Sequence, residues 1–155
     1  MSQQKYATEI LKFLKMDRFK WVDTPIEVGA KLSKDDVGTI VNATLYKKLA
    51  GSIMYLTTTR PDIAFAASYI SRFMESLKDC HWKVGKRALR YIAGTSTYGL
   101  SYVASTESKL VGYTYSDYVG CIDDRKITYG YALLFGRNVI SWSSKKQPIF
   151  VLSSI

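Results

Sequence analysis

Apolar positions near the start of the chain recur at helical spacing. In residues 4–16, QKYATEILKFLKM, the side chains of Ala7, Ile10, Leu11 and Leu14 share one helix face, with Ser2 placed to cap it. From about 20 to 43 this period is lost. Trp21, Pro25, Gly29 and Gly38 punctuate a polar stretch with the charged cluster Lys34-Asp35-Asp36, which predicts a linker. Order returns at Thr44, where Leu45, Leu49 and Ile53 recur every four residues. Proline lacks an N–H and fixes φ, so Arg60-Pro61-Asp62 ends that helix and opens the next. Ile63, Ala66, Ala67, Ile70 and Phe73 or Met74 continue the second stripe. A third helix begins at Asp79 or Cys80, carries Trp82, Leu89 and Ile92, and stops at Gly94.

After Gly94 the period falls from 3.6 to 2. Tyr98 to Val103 predicts a short strand, and Ser105 to Ser108 a turn. Lys109 to Asp117 alternates, with Val111, Tyr113, Tyr115 and Asp117 on one face. A polar loop, Gly120 to Lys126, leads to a strand over Ile127 to Phe135. Gly136-Arg137-Asn138 turns the chain back into Val139 to Ser143. The fold class is therefore α+β, helices followed by a three-stranded antiparallel meander. The final residues, SSKKQPIFVLSSI, close no further element, so the expectation is a fold cut short.

Composition narrows the function classes. The chain has 155 residues, 47% hydrophobic and 23% charged, which is globular usage. Twenty-two Lys and Arg against 13 Asp and Glu give a net charge of +9, which favours polyanions such as nucleic acid or an anionic membrane surface. Aromatics at 14%, twelve of them Tyr, suit base stacking beside phosphate neutralisation. No apolar run is long enough to span a membrane, and the first 20 residues carry scattered charges and no apolar signal core. Cys80 and Cys121 have no partners at metal spacing, so no disulfide framework is expected and an intracellular, reduced chain is the default.

Several phrases, taken together and in order, resemble the Pol polyprotein of copia-type LTR retrotransposons where reverse transcriptase joins ribonuclease H. They are SQQKYATEILKFLKM, YKKLAGSIMYLTTTRPDIAFAASYISRFM, HWKVGKRALRYIAGT, LVGYTYSDYVGCIDDRKITYGYALLFG and VISWSSKKQP. The resemblance implies three segments. Residues 1–43 would be the end of the transcriptase region and a linker, 44–96 a helical connection, and 97–155 a truncated RNase H-like domain. In the intact family that domain cleaves the RNA of an RNA–DNA hybrid, with carboxylates holding two Mg²⁺ ions.

The resemblance also implies a broken site. The family reads threonine-aspartate-serine-aspartate where this chain reads Thr114-Tyr115-Ser116-Asp117, so Tyr115 stands at the first metal-ligand position. A neutral phenol does not replace a carboxylate on Mg²⁺. Asp117 lies two residues on, about 6.6 Å along a strand, whereas paired metals sit about 3.5–4 Å apart. The family's glutamate is expected one residue beyond Ile155, after Ser153 and Ser154, and its later aspartates beyond that. No catalytic residue, metal site or cofactor is therefore expected. The family's small residues are replaced by Ile127 and Tyr129, and its alanine by Gly85, which suggests relaxed selection. A fourth strand pairs with the first in the intact fold, so Lys109–Asp117 is expected to be an open edge beside an uncovered apolar face, and solubility to be poor.

Lys86, Arg87 and Arg90 form a basic patch at helical spacing, and Ser143-Ser144-Lys145-Lys146 reads as a surface turn whose Lys145 and Lys146 make a basic edge. These five are the candidates for weak, non-specific contact with RNA–DNA hybrid or other nucleic acid. Ile122-Asp123-Asp124 and Lys34-Asp35-Asp36 read as solvated loop charges. His81, the single histidine, has no Cys or carboxylate cluster apparent around it and reads as a polar residue near a helix start. Arg87-Ala88-Leu89-Arg90 matches the arginine-x-leucine-arginine motif of oomycete effectors. It falls inside a predicted helix, follows no signal and belongs to the Pol phrase itself. The alternative function is a non-enzymatic, effector-like interaction protein adopted from a retrotransposon.

Overall fold

The computed structural model describes the chain except for residues 35, 40, 41, 76, 105, 107, 118–126 and 148–155. Four helices come first: α1 (Gln4–Phe13), α2 (Ala43–Leu56), α3 (Ala64–Ser71) and α4 (Asp79–Gly94). A single 3₁₀ turn, Pro61–Ile63, leads into α3, as Pro61 requires. Three strands follow: β1 (Leu110–Asp117), β2 (Thr128–Phe135) and β3 (Asn138–Lys146). They form one antiparallel sheet in the order β1-β2-β3. The α+β meander read from the periodicity is what the chain adopts.

The helices bury their stripes against one another. Leu49, Ala50, Ile53, Leu56, Ile63, Ala67, Ile70, Ala88, Leu89 and Ile92 form the main core, joined by Ala7, Ile10 and Leu11 of α1. Leu45, expected in the stripe, is only half-buried; the neighbouring Tyr46 takes the interior position and donates its hydroxyl to Ile70 O at 2.9 Å. Asn42 caps α2 by accepting from Leu45 N at 3.0 Å. Ser2 does not cap α1: Gln3 occupies that position, with no side-chain bond to the helix. Ser2 instead bridges to Gly99.

Two expectations of irregular and regular backbone are corrected. The 20–43 stretch has no helix or strand among its described residues before α2, yet it is docked rather than free. Leu32 is buried with Tyr69 and Phe73 in a second small core, which Ile26 joins. Tyr69 Oη donates to Ala30 O at 3.1 Å and accepts from Leu32 N at 3.0 Å. An aromatic hydroxyl on α3 therefore supplies the hydrogen bonds that a ladder would give. The strand expected over Tyr98–Val103 is reduced to the single Gly99 bridge. Val103 is held by the Asn138 amide instead, Val103 N to Oδ1 at 2.8 Å and Nδ2 to Val103 O at 2.9 Å. Side-chain amides satisfy lone backbone groups where no strand partner is in register.

Gly94 closes α4 from inside the helix, with Thr95 as C-cap. Its lack of a side chain matters for packing, because a Cβ there would stand 2.9 Å from Trp21 Cβ. At the β2–β3 hairpin, Phe135 pairs with Asn138, so the loop is only Gly136-Arg137 and Asn138 belongs to β3. Gly136 has φ +59°, the left-handed geometry such two-residue loops need. A register shift at Leu133/Leu134 leaves Ile140 as the extra residue of β3, since Leu133 pairs with Ser141 and Leu134 with Val139. Polar contacts dock the sheet on the helices. Trp142 Nε1 donates to Thr57 O at 2.9 Å, and Arg72 Nη2 donates to Thr128 Oγ1 at 2.6 Å.

Candidate functional site

In β1, Val111, Tyr113 and Tyr115 alternate onto the sheet face that also carries Ala132, Gly130 and Trp142, which pair across the ladders. Tyr115 lies opposite Gly130 in the register. Its ring covers that glycine so closely that a Cβ on Gly130 would meet Tyr115 Cε1 at 2.1 Å. Its hydroxyl shares a 2.6 Å hydrogen bond with Ser144 Oγ of β3. The phenol is thus laid flat across β2 and tied to the third strand. Tyr115 and Ser144 offer neutral hydroxyls engaged with each other, so this position does not fit a divalent cation that wants anionic oxygens. The backbone of Asp117 pairs with Thr128 at the far end of the same ladder.

The basic candidates fall in two places. Lys86, Arg87 and Arg90 lie on α4, all half-buried. Arg87 Nη2 donates to Thr24 Oγ1 at 3.0 Å, and Arg90 Nε to Lys20 O at 2.6 Å. Two of the three expected cations therefore pin the 20–24 segment to α4 rather than facing solvent as a free patch. Ser143 to Lys146 is not a surface turn but the end of β3, where Lys145 pairs with Tyr129 and Lys146 with Thr128; Lys145 is exposed and Lys146 half-buried. Within the arginine-x-leucine-arginine phrase, Ala88 and Leu89 are fully buried, so the phrase is part of the helical core.

The sequence reading missed two polar constellations. Arg60 is almost wholly buried, and its guanidinium grips Asp62 with Nε–Oδ1 2.8 Å and Nη2–Oδ2 2.7 Å. The same group donates to Thr95 O at 2.8 Å and to Thr95 Oγ1 at 2.7 Å, clamping the α2–α3 turn to the end of α4. Tyr91 Oη adds a bond to Asp62 Oδ2 at 2.9 Å. Burial pushes the Asp62 pKa up, but the hydrogen bonds and charge of Arg60, with Tyr91, bring it below the ordinary carboxylate value. Tyr91 moves up, through burial first and then its bond to Asp62. The signal was present as Arg60-Pro61-Asp62, read only for its proline.

The second is around His81, which does have a cysteine and a carboxylate beside it. Asp36 Oδ2 lies 3.8 Å from His81 Nε2 and 3.6 Å from Cys80 Sγ. It also accepts from Ser33 N at 2.9 Å, so Asp36 is a half-buried loop staple and not a solvated charge. His81 is fully buried and stacked on Phe73 at 4.2 Å between centroids. Its Nδ1 accepts from Lys78 N at 3.0 Å. The ring proton therefore sits on Nε2, which donates to Ser33 O at 2.9 Å. Both nitrogens are engaged and neither presents a lone pair to a metal. The thiol of Cys80 is pushed up by burial and then by the charge of Asp36, which makes it a poor thiolate. Cys121, Asp35 and the Ile122-Asp123-Asp124 triplet lie outside the described residues, as do Ser153, Ser154 and Ile155.

Among the described residues, no helix is long and apolar enough to cross a membrane. No protein-family profile matches the chain, and no solved structure does. Known proteins do. The chain is 37% identical to the retrovirus-related Pol polyprotein from transposon RE2 of Arabidopsis thaliana, over 154 residues that make up 99% of this chain and 11% of that protein. It is 39% identical to the retrovirus-related Pol polyprotein from transposon TNT 1-94 of Nicotiana tabacum, over 161 residues, 99% of this chain and 12% of that one. It is 42% identical to the secreted RxLR effector protein 161 of Plasmopara viticola, over 110 residues, 70% of this chain and 78% of that protein. The chain spans about a tenth of the length of the polyproteins it matches.

Proposed function

Because this chain belongs to the family of copia-type retrotransposon Pol polyproteins, we propose that it is the stretch joining reverse transcriptase to RNase H and cleaves nothing by itself. On this proposal residues 1–43 end the transcriptase region, 44–96 are the helical connection and 97–155 the start of an RNase H-like sheet. The observation that carries the inactivity is Tyr115, a phenol bonded to Ser144 where the family places its first carboxylate. What remains is weak nucleic-acid contact, supported by the net charge of +9 and the half-exposed aromatic sheet face. Incubation with a labelled RNA–DNA hybrid and Mg²⁺ tests this reading. The expected result is an intact hybrid and binding that weakens steeply with salt; Mg²⁺-dependent cleavage would overturn it.

The effector-like reading is favoured by one observation, the similarity that covers most of a protein named as a secreted effector. The placement of Arg87-Ala88-Leu89-Arg90 speaks against that motif acting here. Its leucine is core, and both arginines are committed to the 20–24 segment. Exposing it as a linear signal would require α4 to unfold.

A further inference from the structure

The two outer strands of the sheet, β1 and β3, are built differently. β3 carries devices that keep an edge from pairing with other chains, the extra residue Ile140 and the lysines Lys145 and Lys146. From Leu110 to Ser116, β1 has no charge, no proline and no bulge against β2.

The phase of the ladder defines what β1 offers. Gly136 N–H donates to Lys109 O at 2.8 Å, one step beyond the Leu110–Phe135 pair. Hydrogen-bonded and non-hydrogen-bonded pairs alternate in an antiparallel ladder, so Lys109, Val111, Tyr113 and Tyr115 turn their backbone groups to β2. Leu110, Gly112, Thr114 and Ser116 turn theirs outward, where β1 has no strand partner among the described residues. This row is complementary to itself. A second β1 laid antiparallel about Tyr113 sets Leu110 opposite Ser116 and Gly112 opposite Thr114, so all four outward-facing residues gain ladder bonds. Tyr113 then faces Tyr113, and Val111 faces Tyr115, the aromatic and β-branched pairs that stabilise sheets. Lys109 comes opposite position 117, an aspartate, at both ends. Sliding by two residues one way sets Val111 opposite that aspartate; sliding the other way leaves Lys109 opposite Tyr115.

We propose that β1 is a dimerisation edge, on which a second copy of this chain pairs through the same strand about a two-fold axis at Tyr113. The two sheets then form one continuous six-stranded sheet, β3-β2-β1 meeting its symmetry mate. This interface stands apart from the nucleic-acid reading and does not rest on it.

Residue 113 is the position that meets itself, so it carries the test. Sedimentation of the full chain is expected to give a discrete species of twice its 17.5 kDa mass that dissociates on dilution. Tyr113 is 62% exposed, so replacing it leaves the core of each copy intact. Tyr113→Lys and Tyr113→Glu each set like charges face to face and should weaken dimerisation about tenfold or more. An equimolar mixture of the two variants should recover the dimer, because unlike charges then meet. Circular dichroism of each variant checks folding. A parent chain that stays monomeric, or forms only indefinite aggregates, would overturn the proposal. So would a dimer that survives both single variants, or a mixture that recovers nothing, since either puts the contact on another surface or in another register.

Discussion

Gly85 of α4 lies so close to Leu49 of α2 that a methyl group on it would stand 2.9 Å from Leu49 Cδ2 and 3.2 Å from Cδ1. Leu49 is fully buried, so it has little room to give. The family's alanine at this position suggested that Gly85 was a decayed residue in a helix, and the packing gives it a reason. Gly51 of α2 is the contrast, since a Cβ there meets nothing within 4 Å. Gly51→Ala is expected to raise stability by about 1 kcal/mol through helix propensity. Gly85→Ala should bring no gain and a loss of up to about 2 kcal/mol, because overpacking outweighs propensity. Urea melts of the two variants check this, and a stabilised Gly85→Ala would mean that Leu49 moves aside freely.

The Arg60 clamp should dominate stability among the polar contacts. Its guanidinium side chain is 3% exposed, so removing the charge partner or the fork leaves buried polar groups unpaired. Arg60→Ala is expected to cost about 3–5 kcal/mol, as for other broken buried pairs. Arg60→Lys recovers only part of it, since an ammonium does not fork between Asp62 and Thr95. Asp62 adds a pH dependence. Its folded pKa is below the ordinary value, so its contribution is fully present above the unfolded pKa and is lost as pH falls through the folded one. Asp62→Asn should therefore destabilise at neutral pH, with the difference from the parent chain fading below about pH 4. Because Asp62 is 33% exposed, solvent screening keeps this effect below that of Arg60→Ala. A difference constant down to pH 2 would show that the carboxylate charge is not what matters.

Much of the fold was legible because periodicity reports directly on burial. The stripes through Leu49 and Ile53, Ala66 and Ile70, and Leu89 and Ile92 are core residues, and the alternation over β1 to β3 gave the meander. What periodicity could not show is backbone satisfied by distant side chains. Tyr69 holds Leu32, His81 holds Ser33, and Asn138 holds Val103, pairs far apart in sequence with no repeating pattern. The same blindness hid the candidate site. Tyr115 was recognisable as a substitution, but its bond to Ser144 depends on the register of three strands. Ile127, read as a departure from small family residues, is buried at 5% exposure.

The sheet rim gives a solubility prediction. Leu110 and Phe135 are paired across β1 and β2 on one face and are 61% and 45% exposed, and among the described residues β1 pairs with β2 alone. An exposed apolar pair on such a rim invites intermolecular contact. Leu110→Lys should lower light scattering at a given concentration while changing stability by less than about 0.5 kcal/mol. Unchanged scattering would place the sticky surface elsewhere.

His81 allows hydrogen bonding to be separated from packing. His81→Phe keeps a ring to stack on Phe73 but deprives Lys78 N–H and Ser33 C=O of their partners. Two partly buried backbone groups left without these partners should cost about 1–3 kcal/mol, readable in a urea melt. The same geometry argues against metal capture by Asp36, Cys80 and His81, whose ligand atoms all lie within 4.8 Å of one another. Spacing alone would admit a small cation there. Coordination through Nε2 would have to displace the proton that bonds Ser33, while Nδ1 is held by Lys78 N–H, leaving the ring as an anion. Titration with Co²⁺ is therefore expected to give no thiolate-to-metal absorption band, and Zn²⁺ no rise in Tm. A strong band would show that the ring turns over, releases Lys78 and binds, and the His81 cap would then be one of two states rather than a fixed part of the fold.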